Sequence, residues 1–157
     1  MTDEMKNARA QEAFGLVCQA LENRNWTFDK FDDDLVARFV VNGDDLPIQM
    51  LVYVQADKQL ISVLSPLPFK MSENKRVEGA IAACVASFSM ADGSFDYDMS
   101  TGGITFRQVV SYRDNEVGEG AVQYMLSCTC AMVDKYNDRF LGLEKDMISI
   151  EKFISMD

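Results

Sequence analysis

Two cysteines one residue apart, Cys128-Thr-Cys130, are the first candidates for chemistry in this chain, because paired thiols bind soft metals and exchange disulfides. Their setting argues against it. They fall inside a helical pattern, where positions i and i+2 point about 200° apart, so the two thiols diverge and cannot clamp one ion. Cys18 and Cys84 also lie among apolar helix positions. A free cysteine in such a place is expected to act as a small, reduced, buried hydrophobe.

Carboxylates are the next candidates. Asp92, Asp96 and Asp98, with Ser94 between them, invite a calcium-loop reading. An EF-hand loop needs acids at alternate positions from its start and a glycine at the sixth, which this spacing does not provide. The expectation is a solvated strand face balanced by Arg107. Asp32, Asp33 and Asp34 read as a turn. Gly118-Glu-Gly120 reads as a loosened first helical turn, and neither a Gly-x-Gly-x-x-Gly nor a Gly-Lys-Ser/Thr phosphate loop occurs. The chain has no histidine, which removes the Ser-His and Cys-His nucleophile systems and the commonest metal ligand. No catalytic residue, metal ligand or cofactor is therefore expected.

The elements that would carry these residues follow from periodicity. Residues 1–24 contain an amphipathic helix over 3–23, with Ala10, Phe14, Val17 and Leu21 on one face, joined by Ala13, Leu16 and Ala20. Residues 26–64 read as a β-meander: a short segment at Trp26–Phe31, then Leu35–Val41, the turn Asn42-Gly43-Asp44-Asp45, Ile48–Val54 and Gln59–Leu64. Connections this short force antiparallel neighbours. Pro66 and Pro68, which lack a ladder donor, are expected to end the sheet segment. Residues 72–90 read as a second helix whose stripe is Val77, Ile81, Cys84 and Phe88, widened by Ala80 and Val85. Gly93 stops it.

Residues 93–112 read as a hairpin. If Asp98 pairs with Gly103, Tyr97 opposes Ile104 and Phe95 opposes Phe106 on one face, while Asp96 lies opposite Thr105 and diagonal to Arg107 on the other. Residues 117–156 are helical. Val122, Met125, Leu126, Thr129, Met132, Val133, Tyr136 and Phe140 trace one face, and Gly142 is a possible break. Met147, Ile150, Phe153 and Ile154 lie on a continuation or a separate short helix. The whole is a single α+β domain over 1–157, an antiparallel sheet with helices packed on it in the order α-β-β-β(β)-α-β-β-α.

With 157 residues and a 48% hydrophobic composition the chain can build its own core. Its net charge of −10 argues against nucleic acid and against an anionic membrane surface. No apolar run is long enough to span a bilayer and the N-terminal residues lack a signal-peptide pattern, so a cytoplasmic protein is expected.

Leu60-Ile-Ser-Val-Leu-Ser-Pro-Leu-Pro68, Ser72-Glu-Asn-Lys-Arg76, Gly93-Ser-Phe-Asp-Tyr-Asp98 and Gly103-Ile-Thr-Phe-Arg107 together resemble the bacterial YbjN family over roughly residues 10–140. One departure is Ser87-Phe-Ser89, where that family often has Asn, and the stretch after Phe140 lies outside the match. The resemblance implies a fold like that of type III secretion chaperones, which are small acidic dimers. It implies a sensory or regulatory role and transfers no catalytic residue. Together these readings lead to a non-enzymatic protein-binding module, chaperone-like or regulatory and homodimeric, with a protein or peptide partner. The expected interface is Met125, Met132, Phe140, Phe153 and Ile154. A carboxylate- or metal-dependent enzyme and a small-ligand sensor are the rival classes.

Overall fold

Antiparallel pairing between short, twisted strands organises the chain, and the helices all collect on one side of the resulting sheet. The computed structural model describes residues 1–156, so Asp157, the last residue of the expected domain, lies outside the described residues. The order is α1 (Asp3–Asn23), β1 (Asp29–Phe31), β2 (Val36–Asn42), β3 (Pro47–Gln55), β4 (Leu60–Lys70), a single 3₁₀ turn (Glu73–Lys75), α2 (Arg76–Phe88), β5 (Ser94–Tyr97), β6 (Gly103–Ser111), α3 (Glu119–Glu144) and α4 (Ile150–Ser155). The sheet has six strands in the order β1-β2-β3-β4-β6-β5, every neighbouring pair antiparallel. This is the expected α+β arrangement.

Alternation decides which face is the core. Ala37 and Phe39 of β2, Ile48, Met50, Val52 and Val54 of β3, Ile61 and Val63 of β4, and Ile104 and Phe106 of β6 are buried beneath the helices. α1 begins at Thr2, whose hydroxyl accepts the Met5 amide at 3.3 Å, and it buries Ala10, Phe14, Val17 and Leu21 as expected. α3 lies across β4 and β6 and buries Val122, Met125, Leu126, Thr129, Val133, Tyr136 and Phe140. At its far end the rings of Phe95, Phe106, Tyr136, Phe140 and Phe153 form a cluster with neighbouring centroids 5.2–6.5 Å apart. Such ring pairs contribute about 0.5–1.5 kcal/mol each beyond their burial.

The hairpin has the expected register: Phe95 opposes Phe106, Tyr97 opposes Ile104, and the Asp98 amide donates to the Gly103 carbonyl at 2.9 Å. Gly93 and Gly102 take φ of +75° and +76°, and a Cβ at Gly102 would meet the Met71 carbonyl oxygen at 2.0 Å, so only glycine fits there.

Four expectations are corrected. Pro66 and Pro68 do not end the sheet, because β4 continues to Lys70. The pairing of β4 with β3 stops at Leu64, so beyond it the strand has only β6 beside it, with a register shift between Pro66 and Lys70. A strand edge with a bulge is where proline costs no ladder bond. Gly142 does not break α3, which runs to Glu144; the chain turns at Asp146, with φ of +56°, and α4 is a separate helix. Cys84 is exposed rather than buried. Its neighbours Val77, Ile81 and Phe88 point outward with it, and α2 instead buries Gly79, Ala82, Ala83 and Ala86. The space over β5 is shallow: a Cβ on Gly79 would already meet Met71 Cγ at 2.6 Å and the Tyr97 hydroxyl at 2.7 Å. Only the small residues of α2 can approach that closely.

Candidate docking surfaces

The residues that invited a chemical reading do not converge. Cys128 Sγ lies 3.6 Å from Asp92 Oδ1, whereas Cys130 Sγ lies 3.7 Å from Met50 Sδ on the core side. The divergence follows from their helical spacing. Burial, and for Cys128 also the Asp92 carboxylate, pushes both thiols up and holds them protonated. Burial raises Cys18 as well.

The three aspartates of the hairpin also separate. Asp96 pairs with Arg107 at 2.7 Å, as expected for a balanced strand face. Asp92 receives a hydrogen bond from the Tyr124 hydroxyl and pushes its pKa up to about 12. Asp98 folds back on its own loop, accepting from the Ser100 hydroxyl at 2.6 Å, the Ser100 amide at 2.8 Å and the Thr101 hydroxyl at 2.7 Å. Those bonds, Ser100's first, hold its carboxyl down at about 2. Asp32 pairs with Lys30 at 2.9 Å. Among the described residues, no three His, Cys, Asp or Glu side chains gather where they could hold a metal ion.

Two uncovered apolar surfaces stand out instead. The first is the sheet face opposite the helices. Register places Asp29, Arg38, Leu51, Leu64 and Arg107 in one row across five strands, with Phe31, Val36, Tyr53, Ser62 and Val109 in the next. The sheet twists these rows into a trough of about 540 Å³ lined by Arg38, Val40, Gln49, Leu51, Leu64 and Pro66. Val40 and Val109 are exposed and Leu51 and Leu64 half-buried. β1 pairs only with Val36–Arg38, and among the described residues no strand continues that ladder along Val40–Asn42 of β2. The trough therefore opens beside a free stretch of strand edge. Both arginines on this face are already engaged: Arg38 lies over the Phe31 ring at 5.2 Å, and Arg107 is held by Asp96.

The second surface is the outer side of α2, with Val77, Ile81, Cys84 and Phe88. These were expected as a stripe; that the stripe faces outward was not. Of the five residues expected at an interface, Met125, Phe140 and Phe153 are buried in the chain's own core and Met132 is half-buried against it. In the single chain Met125, Phe140 and Phe153 therefore present almost no surface, while Met132 keeps part of its own. Ile154 alone is exposed.

The sheet-face residues left no chemical motif, but they did leave a signal. In a sheet covered on one side, alternate positions should be polar. Leu51 and Tyr53 of β3 and Leu64 of β4 break that alternation. No helix among the described residues is long and apolar enough to cross a membrane.

No family model matches the chain, and no curated protein sequence matches it. Among solved structures, it is similar to a chain of the HopA1–SchA chaperone–effector complex, with a TM-score of 0.54 at 10% identity over 79% of this chain and 91% of that one. At that identity the likeness is one of fold, and it shows the chaperone-like α+β fold expected from the sequence.

Proposed function

We propose that this chain is a non-enzymatic, cytosolic protein-binding module of chaperone-like or regulatory type, which takes an extended apolar segment of a partner protein on the helix-free face of its sheet. The observation that carries the reading is the apolar trough beside an unpaired strand edge. An extended segment laid there would continue the β2 ladder with its backbone and turn alternate side chains to the trough face, beside Val40 and toward Leu51. The similar solved structure includes a chaperone bound to an effector, which supports a protein as the occupant. The site's own chemistry favours binding over turnover, because the ionised groups that line the trough are one carboxylate, Asp29, and one arginine, Arg38.

Immobilised peptide arrays give the test. Extended peptides with alternating apolar residues should bind, and Val40→Asp or Leu51→Gln should weaken them about tenfold or more without moving the thermal midpoint. The reading fails if no such peptide binds, or if binding ignores both substitutions. A volume of this size also suits a small ligand, the sensor alternative; a thermal shift with metabolite-sized compounds and none with peptides would favour that class.

A further inference from the structure

The edge strand β5 is shorter than the strand it covers. It pairs with Ile104–Arg107 of β6, and among the described residues no strand pairs with Gln108–Ser111 on that side. Between α3 and this uncovered end of β6 lies a cavity of about 220 Å³. Val109, Val110, Ala121 and Met125 form its apolar wall, and Asp92, Gln108 and Tyr124 its polar one. Cys128 ties the three polar side chains together. Its thiol lies 3.6 Å from Asp92 Oδ1 and accepts from the Gln108 amide, and the Tyr124 hydroxyl is shared between Cys128 and Asp92.

Two acceptors in this group are left over. Gln108 is only 4% exposed, and its Oε1 has no hydrogen-bond partner in the protein. A buried amide oxygen without a donor is costly, so native folds rarely keep one without a reason. Asp92 belongs to none of the ion pairs among the described residues, and no lysine or arginine lines the cavity. We propose that this cavity binds a primary ammonium group on an unbranched aliphatic stem. The ammonium sits between Gln108 Oε1 and the Asp92 carboxylate, and the stem lies along Val110, Ala121 and Met125.

The chemistry of the cavity selects this occupant over others. An ammonium carries donors and no acceptor, which matches a site with acceptors to spare. The Tyr124 ring lines the same cavity, and an aromatic face attracts a cation. An anion would meet Asp92 on a chain of net charge −10. A metal ion needs several hard oxygen ligands, and a single carboxylate lines this cavity. A guanidinium favours both oxygens of a carboxylate side by side, and Asp92 already engages Oδ1 with Cys128. A free alkylamine and a lysine side chain of a partner protein present the same group, so the test below separates them. The cavity shares no lining residue with the trough on the helix-free face, and either reading stands without the other.

Two-dimensional NMR of the isotope-labelled full chain reads the site directly. Millimolar n-butylammonium chloride should shift the Gln108 side-chain amide, the Tyr124 ring and the Ala121 methyl along a saturating curve. Butan-1-ol, with the same stem and a neutral head, should bind about tenfold more weakly or worse. Asp92→Asn and Gln108→Leu should each raise the dissociation constant for the amine by about tenfold or more. Asp92 is exposed, so its variant keeps the fold even where the buried Gln108→Leu does not. A short peptide with one lysine, compared with the same peptide acetylated there, identifies the source. Shifts that acetylation removes assign a partner's lysine, and shifts from butylammonium alone assign a free amine. The proposal is overturned if neither amine moves these resonances, or if sodium chloride at equal strength moves them alike. It is overturned equally if butan-1-ol binds as tightly as the amine, or if Asp92→Asn leaves the affinity unchanged.

Discussion

α2 and α3 carry similar stripes of large apolar residues and use them in opposite directions. α3 drives Met125, Leu126, Tyr136 and Phe140 into the core, while α2 turns glycine and alanine inward and leaves valine, isoleucine and phenylalanine at the surface. The difference is set by the room each helix finds. α3 lies over the middle of the sheet, where β4 and β6 leave space for aromatic side chains. α2 sits over the short edge strand β5, close enough that Tyr97 and Met71 fill the gap to Gly79. Hydrophobic periodicity locates a face. Which apolar face is covered depends on the depth of the layer beneath, and that depth is a property of the whole fold.

The comparison breaks most visibly in stability. Phe140 is fully buried and packs edge-on against Phe95 at 5.2 Å. Phe140→Ala should cost about 3–5 kcal/mol in urea unfolding. Phe88→Ala removes the same ring from a helix of the same protein and should change unfolding by less than about 0.5 kcal/mol. Equal costs would mean that α2 is buried after all.

A smaller effect tests the inward face. Adding one methyl at Gly79, where Met71 and Tyr97 already crowd the space, should destabilise by about 1–3 kcal/mol despite the better helix propensity of alanine. Gly15 of α1 has nothing within 4 Å of its would-be Cβ. Gly15→Ala should therefore stabilise, by up to about 1 kcal/mol. Equilibrium unfolding of the two variants side by side gives opposite signs if the close approach of α2 is what inverts it.

The same physical reason separates what the sequence makes legible from what it does not. The hairpin could be read to the residue pair because its constraints are local: Gly102 must take positive φ, Phe95 and Tyr97 alternate with Asp96, and Arg107 must find a carboxylate. The continuation of β4 through Pro66 was hidden, because proline is tolerated there only once the ladder between β3 and β4 has stopped at Leu51–Leu64, a fact held by residues some 15 positions earlier. The orientation of α2 was hidden because Gly79, Ala82, Ala83 and Ala86 form a second apolar face, and periodicity does not choose between two. For the candidate surfaces, Leu51, Tyr53 and Leu64 were visible as apolar residues at positions that alternation reserves for polar ones. Their meaning depended on no helix covering that side.

The smallest predicted effect concerns what holds the start of α2 in place. Arg76 anchors it to the carbonyls of Met99 and Ser100, and that loop is in turn fixed by Asp98, which accepts from Ser100 and Thr101. These bonds lower the Asp98 pKa from the usual 3.8 to about 2. A depressed carboxylate stabilises the fold in full above its ordinary pKa and loses that contribution as pH falls from there through about 2. Acid should therefore loosen the loop and the first turn of α2 before it reaches the α3 core, whose buried aromatic cluster contains no carboxylate. Hydrogen exchange followed from pH 5 down to about 2 should show the Ser100 amide, which donates to Asp98, losing protection while the Phe140 region keeps it. Asp98→Asn retains an acceptor but cannot titrate, so its loop should show lower protection at neutral pH and no acid-dependent step. Loss of protection in α2 and α3 together, with Asp98→Asn behaving as wild type, would mean that the two helices share one cooperative unit and that the Asp98 loop has no separate hold on α2.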